Sequence, residues 1–162
     1  MTSASGSKSK GNPYETDSPE TEAENQQVLE PAHDVARLER ANPLDSIFAP
    51  KTVAVIGATE APGSVGRAVW ENLKASAFVG ELFPVNIKSP TILGSKAYPH
   101  VGDISKKVDL AVIVTPASTV PNLIGECAEA KVPGVVIISA GFKEIGAAGA
   151  ALEKDVLARI RK

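Results

Sequence analysis

"VAVIGATEAPGSVGRAV", residues 53–69, decides how the chain folds. It starts as an unbroken apolar run, passes through a loop holding Gly57, Gly63 and Gly66, and leaves with helical spacing. Strand, glycine loop and helix in that order build a parallel α/β unit, and bare N–H groups at the helix start suit a phosphate. The spacing is not G-x-G-x-x-G, because five residues separate Gly57 from Gly63. Nor is it a P-loop, because no lysine follows Gly66. The loop keeps a G-x-x-G step into the helix and adds the hydroxyls of Thr59 and Ser64, with Val65 between the last two glycines.

Working outward, "KTVAVIG" (51–57), "VDLAVIVTP" (108–116) and "VPGVVIISAG" (132–141) are apolar at consecutive rather than alternate positions. That is the mark of strands covered on both faces. "GELFPVNIK" (80–88) reads as the second strand, and residues 91–107 predict a short strand near Ala97–Tyr98 and a helical turn after Asp103. Helical spacing marks 65–77, with Ala68, Val69, Leu73 and Ala77 as its packed side, and also 147–162. It marks 117–131 too, where Pro121 sits in the first turn and its missing N–H costs little. Alternating strands and helices predict an α/β domain over residues 44–162, a Rossmann-like doubly wound parallel sheet in three layers. The strand order expected is 3-2-1-4-5.

Residues 1–43 read as an arm and linker. The first 26 hold almost no apolar side chains and are expected to be disordered. Residues 27–41 carry the pattern of a short amphipathic helix after Pro31, and "NPLDSIFAP" follows, with Leu44, Ile47 and Phe48 expected to dock on the domain edge. Residues 1–42 hold eight acidic side chains against four basic, leaving eleven against thirteen in the rest. That small basic excess is too weak for a nucleic-acid binder. No stretch approaches the ~20 apolar residues of a membrane span. The N-terminus has no apolar signal core, so the chain reads as cytoplasmic with no membrane partner. Cys127 is the single cysteine and reads as a small buried hydrophobe. No metal-spaced ligands, paired carboxylates or Ser–His–Asp set appear, so neither a catalytic residue nor a metal is assigned.

Ligands of open α/β sheets sit beyond the carboxyl ends of the strands. Three loops end there. The first is the glycine loop. The second, "PVNIKSP", carries Asn86 and Lys88 where a site for NAD has an acid to grip the ribose hydroxyls. A cation there suits a ribose bearing phosphate, as in NADP or coenzyme A. The third, "ISAGFKE", brings Ser139, Ala140 and Gly141 close to a ligand with small side chains and backbone N–H groups. "VTPAS" adds Thr115 and Ser118.

These loops together resemble a known family. "LDSIFAPKTVAVIGATEAPGSVGRAV", "PVNIK", "LGSKAYPHVGDI" and "VDLAVIVTPASTVPNLIGECAEAKVPGVVIISAGFKE" are similar, in order and spacing, to the CoA-binding domain of ADP-forming acyl-CoA synthetases. These are the acetate–CoA ligases related to the succinyl-CoA synthetase alpha subunit. The resemblance runs from Leu44 to Lys162. It implies that Thr59–Gly66 wraps the CoA phosphates, with Ser64 donating. It also implies that Lys88 meets the nucleotide portion, and that Ser139–Gly141 lies along the pantetheine arm. Valine at Gly66 is then expected to abolish CoA binding in a folded domain.

The family's reaction needs a phosphohistidine in a following domain and an ATP-grasp domain. Further synthetase domains or an ATP-grasp subunit are therefore the implied partners. His33 and His100 match no such position and read as surface histidines. By this resemblance the stretch alone does not complete the reaction. The same domain opens certain protein-lysine acetyltransferases, and an NADP-binding Rossmann domain is the remaining alternative.

Overall fold

The computed structural model describes Asn42 and residues 44–161. The disorder expected over residues 1–26 and the helix expected over 27–41 lie outside the described residues. Four parallel strands make the sheet: β1 (Thr52–Ile56), β2 (Glu81–Val85), β5 (Leu110–Ile113) and β6 (Gly134–Ile137), side by side as β2-β1-β5-β6. Between them in sequence, β3 (Thr91–Ile92) and β4 (Ser95–Lys96) form a small antiparallel hairpin. It turns through Leu93 and Gly94, both at positive φ.

The strand expected near Ala97–Tyr98 is reduced to a single parallel bridge, Tyr98 to Val85, on the free side of β2. Pro99 follows at once and has no N–H with which to extend a ladder. The anticipated order is met by four strands and one bridging residue.

Helices cover both faces. On one side α2 (Val65–Ala75) lays Val69, Trp70 and Leu73 over Val53, Val55 and Val112. On the other, α3 (Val120–Glu129) and α4 (Ala147–Ile160) set Val120, Ile124, Cys127 and Val156 against Ala54, Ile56, Ala111 and Ile113. Alternate β1 residues thus feed two separate cores, which is why the run had to be apolar at every position.

The packed side of α2 keeps the expected Val69 and Leu73 but not the two alanines. Trp70 is 1% exposed and Gly66 is buried, whereas Ala68 and Ala77 are exposed. The helix turns to bury its largest apolar group rather than its alanines. Along β6, Val135–Ile137 are only half-buried, since among the described strands β6 pairs with β5 alone. The segment before β1 winds into a short helix, α1 (Asp45–Phe48). Its Ile47 reaches the sheet at Gly134, but Leu44 and Phe48 stand 52% and 80% exposed. A 3₁₀ turn covers Val101–Asp103, ending at Asp103 rather than following it.

The register aligns one end of the sheet. Ile56 pairs with Val85 and Ile113, and Ile113 with Ile137. Gly57, Asn86, Val114 and Ile138 therefore begin their loops along a common rim, at the carboxyl ends of the strands.

Candidate functional site

Two glycines of the first loop join strand to helix. Gly57 sits at φ +97°, and a β-carbon there would lie 2.7 Å from Cγ2 of Thr115. Gly66 is buried, and its missing β-carbon would overlap the carbonyl oxygen of Gly57. Helix α2 starts hard against the end of β1, and only glycine permits that approach. Gly63, at φ +73°, has open space around it. Val65 is exposed.

Ser64 is the N-cap of α2. Its Oγ accepts from the Arg67 N–H at 3.3 Å and donates its proton to the Ala61 carbonyl at 2.7 Å. In this arrangement the hydroxyl caps the helix and its proton points at the Ala61 carbonyl. Ser64→Ala is expected to lower unfolding free energy by about 1 kcal/mol and to leave ligand affinity within twofold by titration. The loop is also tied from outside. Arg67 Nη1 donates to the Glu60 carbonyl at 2.9 Å, and the Glu60 carboxylate accepts from the Leu93 N–H at 2.7 Å.

The second loop is organised by Asn86. Its Nδ2 donates to the Ala58 carbonyl at 2.7 Å, and its Oδ1 accepts from the N–H groups of Lys88 at 2.7 Å and Ser89 at 3.1 Å. The carboxamide joins the first two loops and sets the backbone of Lys88, whose side chain is exposed.

Between these loops and the start of α3 lies a cleft of about 640 Å³. Of the residues expected at a site it gathers Gly57, Thr59, Asn86, Lys88 and Thr115, together with Ser118. Gly63, Ser64, Val65, Gly66, Ser139, Ala140 and Gly141 do not line it. The rest of its wall is Ile56, Val85, Ile87, Pro99, Pro116, Thr119, Asn122, Leu123 and Glu126, with His100, none of them expected at a site from the sequence. Thr119, Asn122, Leu123 and Glu126 recur at helical spacing, the signal that could have placed them on one face of α3.

His100 is exposed, as expected, and also has a partner. Its Nδ1 lies 3.1 Å from Oε2 of Glu126, across the gap between the 3₁₀ turn and α3. Nearer the rim, Thr119 Oγ1 lies 2.7 Å from Thr115 Oγ1 and 2.8 Å from the Pro116 carbonyl.

The third loop holds itself together. The Ser139 hydroxyl donates to the Thr115 carbonyl in a short hydrogen bond, tying the loops after β5 and β6. The N–H of Gly141, expected to face a ligand, donates instead to the carboxylate of Glu144, as does that of Phe142 at 3.0 Å. Those two bonds, Gly141 first, hold the Glu144 carboxyl below its ordinary range. Ala140 is exposed. Behind the cleft wall, Cys127 is 1% exposed; burial, and then the charge of Glu126, push its thiol up to about 11. Enclosed in the core, Cys127 is a packing group.

Among the described residues no cluster of His, Cys, Asp and Glu is arranged to hold a metal ion, and no helix is long and apolar enough to cross a membrane.

Known proteins share this architecture and sequence. The chain is 44% identical over 119 residues to the ADP-forming acetate–CoA ligase II of Archaeoglobus fulgidus, covering 74% of this chain and 18% of that protein. It is 42% identical over 123 residues to the alpha subunit of the ADP-forming acetate–CoA ligase I of Pyrococcus furiosus, covering 74% and 27%. Among solved structures it superposes, with a TM-score of 0.69 and 36% identity, on the dinucleotide-forming acetyl-coenzyme A synthetase 1 of Candidatus Korarchaeum cryptofilum in complex with phosphate and ADP. That match covers 73% of this chain and 25% of the other. The chain thus spans about a quarter or less of the length of these relatives. The family model of the CoA binding domain matches residues 51–162, from the start of β1 through α4, and by that match the chain belongs to the CoA-binding domain family.

Proposed function

We propose that this chain binds coenzyme A and presents it within an ADP-forming acid–CoA ligase, the class to which its acetate–CoA ligase relatives belong. The cleft between the glycine loop, Lys88 and the start of α3 carries this reading. It opens at the carboxyl ends of β1, β2 and β5, where the strand order reverses and an open α/β sheet takes its ligand. Lys88 supplies a cation on the β2 side for a ribose phosphate. The N–H groups of Val65 and Gly66, in the first turn of α2 beside the cleft rather than on its wall, have no partner within the helix and suit the diphosphate. The chemistry of phosphoryl transfer falls to partner domains or subunits, with this domain holding the thiol carrier.

Parallel calorimetric titrations of the purified chain with CoA, acetyl-CoA, NADPH and ATP test the reading. CoA and acetyl-CoA are expected to bind and NADPH and ATP to bind at least tenfold more weakly, because they lack the pantetheine arm. Preference for NADPH would transfer the cleft to a dinucleotide.

A further inference from the structure

Resting on the CoA reading, we propose that the β3–β4 hairpin braces the glycine loop and that Glu60 is the positioning residue through which it acts. The hairpin turns through Leu93 at φ +43° and Gly94 at φ +75°. A two-residue turn with both central residues left-handed is ordinarily built from Asn, Asp or Gly. Leucine in the first of these places is strained, and such strain persists only where the surroundings hold it. Two contacts hold it here. The Leu93 side chain packs on the cluster of Val55, Ala58 and Trp70, and its N–H donates to Oε1 of Glu60 at 2.7 Å.

Both contacts lead to the glycine loop. Ala58, in that loop, is fully buried in the same cluster as Ile92, the residue before the turn. Glu60 directly follows Thr59, which lines the cleft. The hairpin is fastened to α2 as well, because Lys74 Nζ donates to Ser95 Oγ at 3.1 Å. Thr59, Ala61 and Ser64 bond only among themselves. Among the described residues, the hydrogen bonds that tie 59–63 to α2 beyond its cap and to the hairpin all end on Glu60. Its carbonyl is held from the helix by Arg67, and its carboxylate from the hairpin by Leu93.

The charge of Glu60 sharpens the assignment. A carboxylate beside the site of a polyanion repels it. Bonded to Leu93, Glu60 stands off the cleft wall. What the loop requires at position 60 is thus an acceptor for the Leu93 N–H, not a negative charge.

The test compares Glu60→Ala with Glu60→Gln in the whole chain, by calorimetric titration with CoA and by amide hydrogen exchange without ligand. Glu60→Ala is expected to speed exchange at Leu93 and along residues 59–63, and not in β1 or β5. It is also expected to weaken CoA by about fivefold or more, because a loop in place for only part of the time lowers the affinity in proportion. Glu60→Gln keeps a side-chain oxygen that accepts, and is expected to retain slow exchange and bind CoA at least as tightly as the unaltered chain, within about twofold. Glu60 is exposed, and unchanged melting temperatures would show that both variants fold. CoA binding by Glu60→Ala equal to that of the unaltered chain would overturn the proposal. So would a Glu60→Gln chain as weak as Glu60→Ala, or exchange that accelerates through the core strands as much as in the loop. A chain that binds no CoA even unaltered would refute the CoA reading alone. The exchange rates would then decide the brace, a local acceleration in Glu60→Ala supporting it and unchanged rates overturning it.

Discussion

Gly66→Val is expected to cost the domain its fold and not only its ligand. The sequence motif suggested a residue lining a phosphate loop, replaceable without harm to the core. The structure sets it against the Gly57 carbonyl, so that a β-carbon and that oxygen would occupy the same space. Neither partner is a flexible side chain. Relief requires α2 to move off β1, and the contacts of Trp70 with Val55 and Ala58 move with it. Overpacking typically costs about 1–3 kcal/mol, and a β-carbon set against rigid backbone falls at the upper end, a large part of the ~5–15 kcal/mol that holds a typical domain together. Thermal unfolding followed by circular dichroism should show a melting temperature lowered by more than 10 °C (roughly 4–8 °C per kcal/mol in a domain of this size). Gly63→Ala provides the contrast: the space around it is open, and only its positive φ penalises a side chain, by about 1–2 kcal/mol. A Gly66→Val chain that melts like the wild type would show that the helix start is not packed as described.

Lys88→Glu is expected to weaken CoA by 100-fold or more while weakening dephospho-CoA far less. The ammonium stands on the cleft wall beside the loop that Asn86 holds. A charge-assisted contact to phosphate is worth about 1.5–3 kcal/mol, or roughly 10- to 150-fold, and reversing the charge adds repulsion to that loss. The difference between the two ligands isolates the 3′-phosphate from general electrostatics. It should also shrink as salt is raised, since the side chain is exposed. Equal losses for both ligands would return Lys88 to bulk solvent.

Much of this architecture is legible in the sequence, for reasons that can be traced. Consecutive apolar residues at 53–56 and 110–113 identify doubly covered strands, because alternate side chains enter different cores. The third strand was over-read because its pairing ends at Pro99, a residue whose effect depends on which side of β2 it meets. On α2, Val69 and Leu73 pack as their spacing predicts, but Ala68 and Ala77 do not, because the helix turns to bury Trp70 and only the sheet's shape decides that.

At the site, Gly57, Thr59, Asn86, Lys88 and Thr115 could be placed together because topology alone brings the loops after β1, β2 and β5 to one rim. What remained hidden is which hydrogen-bonding groups are already engaged. Ser64 caps a helix, Ser139 ties two loops, and the Gly141 N–H meets Glu144. Ser64 and Gly141 use partners three positions away and Ser139 one 24 positions away, and residue type reveals none of them. The His100–Glu126 contact spans 26 positions and depends on how the 3₁₀ turn rests on α3.

Asn86 has a consequence for the energetics of ligand capture. Its carboxamide grips three backbone groups, and its own N–H donates to the Tyr98 carbonyl at 2.8 Å. The segment carrying the cleft's cation is thus rigid before any ligand arrives. The entropy of arranging that backbone was lost when the chain folded, leaving only the lysine stem to be stilled on association. A receptor prepared in this way binds without a preceding rearrangement, so encounter is fast and the lifetime of the complex, rather than its rate of formation, carries the differences in strength among related ligands.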